Sequence, residues 1–117
     1  MERIIVKIAK MFAEIFAIDR LRYAVVGFLE SHFSEFFYEL NAVNLYDDDS
    51  LDFVLIDGSH AYNDVHDDIT AWLKKLKPGS LLAGDDYEWP GVKQAVNELL
   101  PGFTHFPIIG CWAYFKP

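Results

Sequence analysis

The chain has 117 residues, and 52% of them are hydrophobic, so it carries enough apolar surface for one domain with its own core. Its formal net charge of -8 at pH 7 argues against binding to nucleic-acid phosphates or anionic lipid surfaces, and it favours cationic ligands or metals. The single cysteine, Cys111, excludes an internal disulfide. Because the sequence shows no secretory leader pattern and no apolar run near the ~20 residues of a membrane-spanning helix, a cytoplasmic protein is expected.

The N-terminal third is predicted to contain two helices and two strands. Tyr23–Val26 is rich in β-forming residues and stops at Gly27, and a helical stripe follows over residues 29–40. The earlier run Ile15–Ile18, closed by Asp19, fits either a helix end or a buried strand, and we favour the strand. An apolar stripe at spacings of three and four predicts the first helix, and its members are Ile4, Ile5, Ile8, Met11, Phe12 and Ile15.

The middle of the chain alternates between strand and helix patterns. Ser50–Ile56 is almost continuously apolar, as expected of a parallel strand covered on both faces. A helical stripe spans Val65–Leu76, with lysines in its last turn, where cations complement the helix dipole. Pro78-Gly79 is predicted to end this helix, and Ser80–Gly84 is a second short buried strand.

The C-terminal part is predicted to contain one helix and a hairpin. Pro90 suits the start of the helix, and Pro101-Gly102 ends it. Phe103–Ile109 and Cys111–Lys116 have strand patterns, and Pro107 within the first suits an edge strand. The alternation predicts an α/β domain with a mostly parallel sheet, helices on its faces and a C-terminal antiparallel hairpin.

Carboxylates follow directly after two of the predicted strands. Asp57 comes after the strand that ends at Ile56, and Asp85 and Asp86 come after the strand that ends at Gly84. Ligands of open α/β sheets bind beyond the carboxyl ends of the strands, so the three acids converge if the two strands are neighbours. Their mutual repulsion is relieved when one carboxyl keeps its proton or when a divalent cation binds, and oxygen ligands favour Mg²⁺, Mn²⁺ or Ca²⁺.

His60 lies three residues after Asp57, close enough to act as a general base beside such a metal. A structural interpretation stands beside the catalytic one. In it, Asp57 accepts backbone N–H groups in the turn, Asp85 and Asp86 cap the loop before the next helix, and His60 is an exposed turn residue. The residue types alone leave both interpretations open.

The remaining histidines and the cysteine carry weaker signals. His66 is predicted on the solvent face of its helix, and His32 lies in the predicted helix over residues 29–40, which is rich in phenylalanine. His105 has no readable pattern. Cys111 is expected to pack in apolar surroundings, because neither a second cysteine nor an obvious base lies near it in the sequence.

Beyond these patterns, Ser50–Lys116 resembles a known family. The stretches SLDFVLIDGSHAYNDVHDDITAWLKKLKPGSLLAGDDYEWPGVKQAVNEL and CWAYFKP are similar to the C-terminal half of class I S-adenosylmethionine-dependent methyltransferases. In particular, they resemble small-molecule O-methyltransferases that carry an IDG-x-H strand end and an acidic D-D-Y turn. The resemblance covers more than half of the chain and implies a partial Rossmann-like methyltransferase sheet.

The resemblance also implies roles for the acidic strand ends. In metal-dependent relatives the acid of the IDG-x-H motif and the acidic pair after the next strand bind Mg²⁺, and these positions are Asp57, Asp85 and Asp86 here. The histidine of the motif, His60 here, acts as the base on the acceptor hydroxyl. The metal would lower the pKa of that hydroxyl and orient it for in-line methyl transfer.

The N-terminal segment KIAKMFAEIFAIDRL resembles the helix and second strand of the cofactor-binding half. This resemblance makes Asp19 the implied ligand of the ribose hydroxyls of S-adenosylmethionine. It also implies that residues 1–117 form a single domain truncated at its N-terminus, whose glycine-rich cofactor loop would have preceded Met1. Such a sheet exposes an edge and apolar faces that need covering by a rearrangement or by another subunit, and we expect a homodimer.

Three functional hypotheses follow. The first is an O-methyltransferase that uses S-adenosylmethionine and Mg²⁺ on a small-molecule hydroxyl. The second is a catalytically inert methyltransferase-fold remnant that serves as a binding or oligomerisation module, and the third is a metal-dependent hydrolase-like site, which no motif supports. The absent glycine loop favours the second, whereas the retained acids and His60 favour the first.

Overall fold

The computed structural model describes residues 23–26 and 42–117, and the fold refers to these residues. The predicted helix over residues 4–15, the strand before Asp19 and the helix over residues 29–40, which includes His32, lie outside them. The described elements, in chain order, are β1 (Tyr23–Val26), a 3-10 turn (Ala42–Leu45), β2 (Leu51–Ile56), α1 (Tyr62–Leu73), β3 (Leu76–Gly84), α2 (Pro90–Leu99), β4 (Thr104–Phe106) and β5 (Cys111–Phe115).

The described strands form one five-stranded sheet in the order β1-β2-β3-β5-β4. β1, β2 and β3 run parallel, and their last residues, Val26, Ile56 and Gly84, are register partners across the sheet. β5 pairs antiparallel with both β3 and β4. The structure thus confirms the predicted α/β fold, in which a parallel sheet continues into an antiparallel C-terminal hairpin.

The two faces of the sheet carry different clusters, because successive side chains of a strand point to opposite faces. One face carries the main core, in which strand residues pack with residues of both α1 and α2. The other face carries a smaller cluster. Both described helices therefore lie on one face. The main core includes Val54, Leu82 and Trp112 from the strands and Val65, Ile69, Val92 and Val96 from the helices, and the smaller cluster contains Leu55, Ala83 and Cys111.

A polar contact supplements the packing of α1 on α2. The Tyr62 hydroxyl, at the start of α1, donates a hydrogen bond to the Glu98 carboxylate near the end of α2. This hydrogen bond, with a further one from Gln94, lowers the pKa of the Glu98 carboxyl below its ordinary value. The same contact raises the pKa of the Tyr62 hydroxyl. The helix that follows β2 is thereby joined to the helix that follows β3.

The predicted end of the first described helix is wrong. α1 ends at Leu73, and Leu76 belongs to β3, where it is fully buried and pairs with Leu51. Between the pairs Leu51–Leu76 and Phe53–Leu81, β2 advances two residues and β3 advances five, so β3 contains a bulge. Pro78-Gly79 lies within that bulge and does not end a helix.

The lysines after α1 also have a different role from the predicted one. None lies in the last turn of the helix. The Lys75 ammonium lies 2.8 Å from Asp48, and the Lys77 ammonium lies 3.1 Å from Asp52. These lysines therefore form ion pairs with acids around β2 and do not interact with the dipole of the helix. Ion pairs that are exposed to solvent add little stability.

The C-terminal helix and hairpin are present, with shorter strands than predicted. Pro90 is the first residue of α2, as expected. Pro107 lies in the turn over residues 107–110 and not within β4, because a residue without an N–H cannot extend the ladder. β4 pairs only with β5 among the described strands, which confirms its predicted edge position.

None of the helices in the described part of the chain has the length and apolar character needed to span a membrane.

A Gly84→Ala substitution is expected to lower the free energy of unfolding by about 1–3 kcal/mol. The added Cβ would lie 2.2 Å from Cζ2 of Trp112, so the two side chains would clash. The Trp112 side chain is fully buried, so moving it would disturb the packing around it. Urea unfolding followed by circular dichroism measures the effect. In a Trp112→Leu background the same substitution should cost less, and an equal cost in both backgrounds would contradict this packing.

Candidate functional site

The candidate site lies where the parallel strands β2 and β3 end side by side. Ile56 and Gly84 are register partners, and the backbone N–H of Asp85 donates to the Ile56 carbonyl at 3.3 Å. The next residue of each strand, Asp57 and Asp85, therefore emerges at the same edge. This is the adjacency on which the sequence-based site prediction depends.

The structure brings all three predicted acids together. One carboxylate oxygen from each of Asp57, Asp85 and Asp86 lies within 4.8 Å of the others, and all three residues are half-buried. They line a small cavity of about 10 Å³ together with His60. A cavity of this size accommodates one water molecule, so it suits a single ion or water.

The turn after β3 is held in an uncommon backbone conformation. Asp86 has a φ of 60°, in the left-handed region that aspartate enters more readily than most residues. Its backbone N–H donates to Oδ1 of Asp85 at 2.8 Å. The predicted structural role for these acids is thus present in part, since Asp85 caps a backbone N–H while it faces the cavity.

Cys111 is buried beside Leu55 and Ala83, as expected of a packed thiol. It also has a polar contact that the sequence does not indicate. Its Sγ donates weakly to Oδ1 of Asp85 at 3.7 Å. The start of β5 therefore supports the acid that follows β3.

His60 is held at the rim of the cavity by two side chains. Its Nε2 lies 2.8 Å from Oδ2 of Asp86, and its ring stacks on Trp89 with centroids 4.3 Å apart and an angle of 23° between the planes. The His60 side chain is 33% exposed. It is therefore a partly buried, oriented imidazole and not the exposed turn residue of the structural interpretation.

The sequence patterns do not indicate two residues near His60. Trp89 immediately precedes α2, and Gly91 is so close that an added Cβ would lie 2.4 Å from the His60 carbonyl oxygen and 2.7 Å from the Tyr62 nitrogen. The only local signal is a tryptophan directly before a helix-starting proline. It points to His60 only once the fold places the two residues together.

Other polar residues near the start of α1 have structural roles or lie outside the cavity. Ser59 Oγ accepts from the Ala61 N–H at 3.1 Å and donates to Asp64 at 2.7 Å, which shapes the entry into the helix. His66 is 37% exposed on α1 and is not among the residues that line the cavity. Asp19, the predicted ribose ligand, lies outside the described residues.

A larger cleft of about 340 Å³ lies elsewhere in the described structure. Its lining is mostly apolar and comes from α1, α2, Lys74 and Lys116. None of the acids or histidines discussed above lines it. The groups that can carry chemistry are therefore concentrated at the ends of β2 and β3.

Comparison with known families assigns the chain to a class of protein. A family described as a methyltransferase domain matches residues 8–87, which is more than half of the chain. The matched region includes β1 to β3 and all of Asp57, His60, Asp85 and Asp86. None of the curated proteins matches the chain.

The chain thus belongs to the methyltransferase-domain family, which is of the class I S-adenosylmethionine-dependent type. Trp89 and Gly91 lie beyond the matched residues.

Proposed function

We propose that the protein is an S-adenosylmethionine-dependent, metal-assisted O-methyltransferase that acts on a small-molecule hydroxyl. One observation carries the proposal. Three carboxylates and an oriented imidazole meet at the carboxyl ends of parallel strands in a methyltransferase domain. Three carboxylates this close repel one another unless a proton or a divalent cation binds among them, and this cost favours a metal site over an inert remnant.

The donor set fits a hard divalent cation. Asp57, Asp85 and Asp86 would supply carboxylate oxygens, which Mg²⁺ prefers over nitrogen or sulfur donors. The cavity between them admits one object the size of a water molecule. When bound, the metal supplies Lewis-acid polarisation of the acceptor oxygen. The three side chains in turn lose their mutual repulsion.

S-adenosylmethionine enters the proposal through the family. It supplies the methyl group as an electrophilic sulfonium. Asp19 is proposed as the residue that hydrogen-bonds its ribose hydroxyls. The cavity at the acids suits a single ion, so we propose that S-adenosylmethionine lies beside the acids and not among them.

His60 is proposed as the general base. A neutral imidazole accepts the proton of the acceptor hydroxyl as the oxygen attacks the methyl carbon. The partly buried ring is held at the rim, where a bound hydroxyl could reach it.

The negative charge of the acids also disfavours anionic acceptors, so a neutral hydroxyl compound is the expected substrate.

Calorimetric titration with S-adenosylmethionine and with S-adenosylhomocysteine, each with and without Mg²⁺, tests the proposal. We expect binding of both, with the affinity for S-adenosylmethionine influenced by Mg²⁺. The absence of detectable heat at millimolar ligand would eliminate the enzyme and leave an inert binding or oligomerisation module.

An Asp57→Asn variant tests the ligand set. Loss of one charged oxygen donor should abolish the Mg²⁺ dependence of binding while the fold is retained, since the residue is only half-buried. Asp67→Asn is the matched control, because the Asp67 side chain is 83% exposed on α1, outside the cavity. An unchanged Mg²⁺ dependence in Asp57→Asn would dismiss the proposed ligands.

A homodimer in the cytoplasm is proposed as the working state. Large apolar side chains remain exposed near the edge strand β4, with Phe106 45% and Ile108 99% exposed. Burial of such side chains against a second copy would remove apolar surface from water. Small-angle scattering should give twice the mass of the chain, and a monomer mass across the concentration range would count against the dimer.

A further inference from the structure

One short segment contacts His60 from three sides. Asp86 meets the edge of the ring, Trp89 covers a face of the ring, and Gly91 lies against the backbone carbonyl. The three contacts come from residues 86–91, between β3 and α2. Residues 86–91 therefore restrain both the position and the orientation of the His60 imidazole.

We propose that Trp89 is a positioning residue for His60: by stacking on the ring it keeps Nε2 on Asp86 and leaves Nδ1 as the nitrogen with a free electron pair. The catalytic meaning of this arrangement rests on the function proposed above. The positioning itself is a property of the chain without any ligand.

The stacking contact controls the rotation that the hydrogen bond alone leaves free. An imidazole held by one hydrogen bond can still swing about that bond and about its own side-chain torsions. The Trp89 ring lies 4.3 Å away and nearly parallel, which limits the tilt of the His60 plane. Trp89 is itself 53% exposed, so burial in the core does not account for its placement.

The tautomer follows from the hydrogen-bond partner. Asp86 Oδ2 is a carboxylate oxygen and only accepts, so Nε2 of a neutral His60 must carry the hydrogen in this contact. Nδ1 then holds the electron pair. In the proposed reaction Nδ1 would take the proton of the acceptor hydroxyl as its O–H bond breaks. The oxygen would then bond to the methyl carbon supplied by S-adenosylmethionine, and the electrons of the broken S–C bond would return to sulfur, leaving a neutral thioether.

Hydrogen bonds and a proline restrain the backbone of residues 86–91, which carries the Trp89 ring. The Trp89 N–H donates to the Asp86 carbonyl at 3.1 Å and closes a turn between the two residues that contact His60. The Tyr87 N–H donates to the Gly110 carbonyl at 3.0 Å, which ties the turn to the hairpin. Pro90, the first residue of α2, has a fixed φ and stiffens the exit from the turn.

Nitrogen-15 NMR of the histidine rings in the full chain tests the proposal at about pH 8.5, where an ordinary imidazole is neutral. In the unsubstituted protein, His60 should show a protonated Nε2 and an unprotonated Nδ1. In Trp89→Leu both nitrogens should move to the averaged shifts of a mixed tautomer. Trp89→Phe should restore the original pattern, because a flat ring can still stack.

Two controls separate positioning from loss of fold. His66 provides an internal reference, since its nitrogens should be unchanged in every variant. Phe115→Leu removes another exposed aromatic ring, 69% exposed on β5, and should leave His60 as it is. A Trp89→Leu spectrum with unchanged His60 nitrogens, or a protonated Nδ1 in the unsubstituted protein, would overturn the proposal.

These results are independent of ligand binding. If calorimetry shows no S-adenosylmethionine binding while the His60 pattern responds to Trp89, the positioning stands and the enzyme hypothesis fails. If binding is present and the pattern does not respond, the enzyme hypothesis stands and Trp89 has no positioning role.

Discussion

The parallel pairing of β2 with β3 is the constraint on which the site depends. Because the two strands end in register at Ile56 and Gly84, the residues that follow them must share one edge of the sheet. Asp57 and Asp85 are brought together in this way against their electrostatic preference. The pairing is stabilised by a buried core, in which Trp112 lies directly against Gly84 where a larger residue would not fit.

The same core also organises the side of the site that carries the imidazole. α1 and α2 pack on one face of the sheet and against each other, and each helix begins just after a strand end that carries acids. His60 therefore lies before α1 and Trp89 before α2, at the same end of the structure. Packing of the helices brings together residues 29 positions apart, which local backbone preferences could not do.

Two separate observations support the proposed function: the family to which the chain belongs and the geometry of the site. The family match describes ancestry over residues 8–87. The geometry describes what the present side chains can do, and a fold alone does not establish a reaction. The proposed chemistry draws on a carboxylate cluster, an oriented imidazole and a cavity of ion size, all within the described residues.

The sequence by itself determined the elements whose patterns are local. Short apolar runs predicted β1, β2 and the second half of β3, proline at a helix start predicted α2, and the acids after two strand patterns predicted a shared site. Periodicity failed at Leu76, because its spacing from Leu73 fits a helix equally well while pairing with Leu51 places it in β3. Only the tertiary structure decided that Trp89 covers His60 and that Cys111 touches Asp85, because each contact joins elements that are distant in the chain and adjacent only after the helices and strands pack.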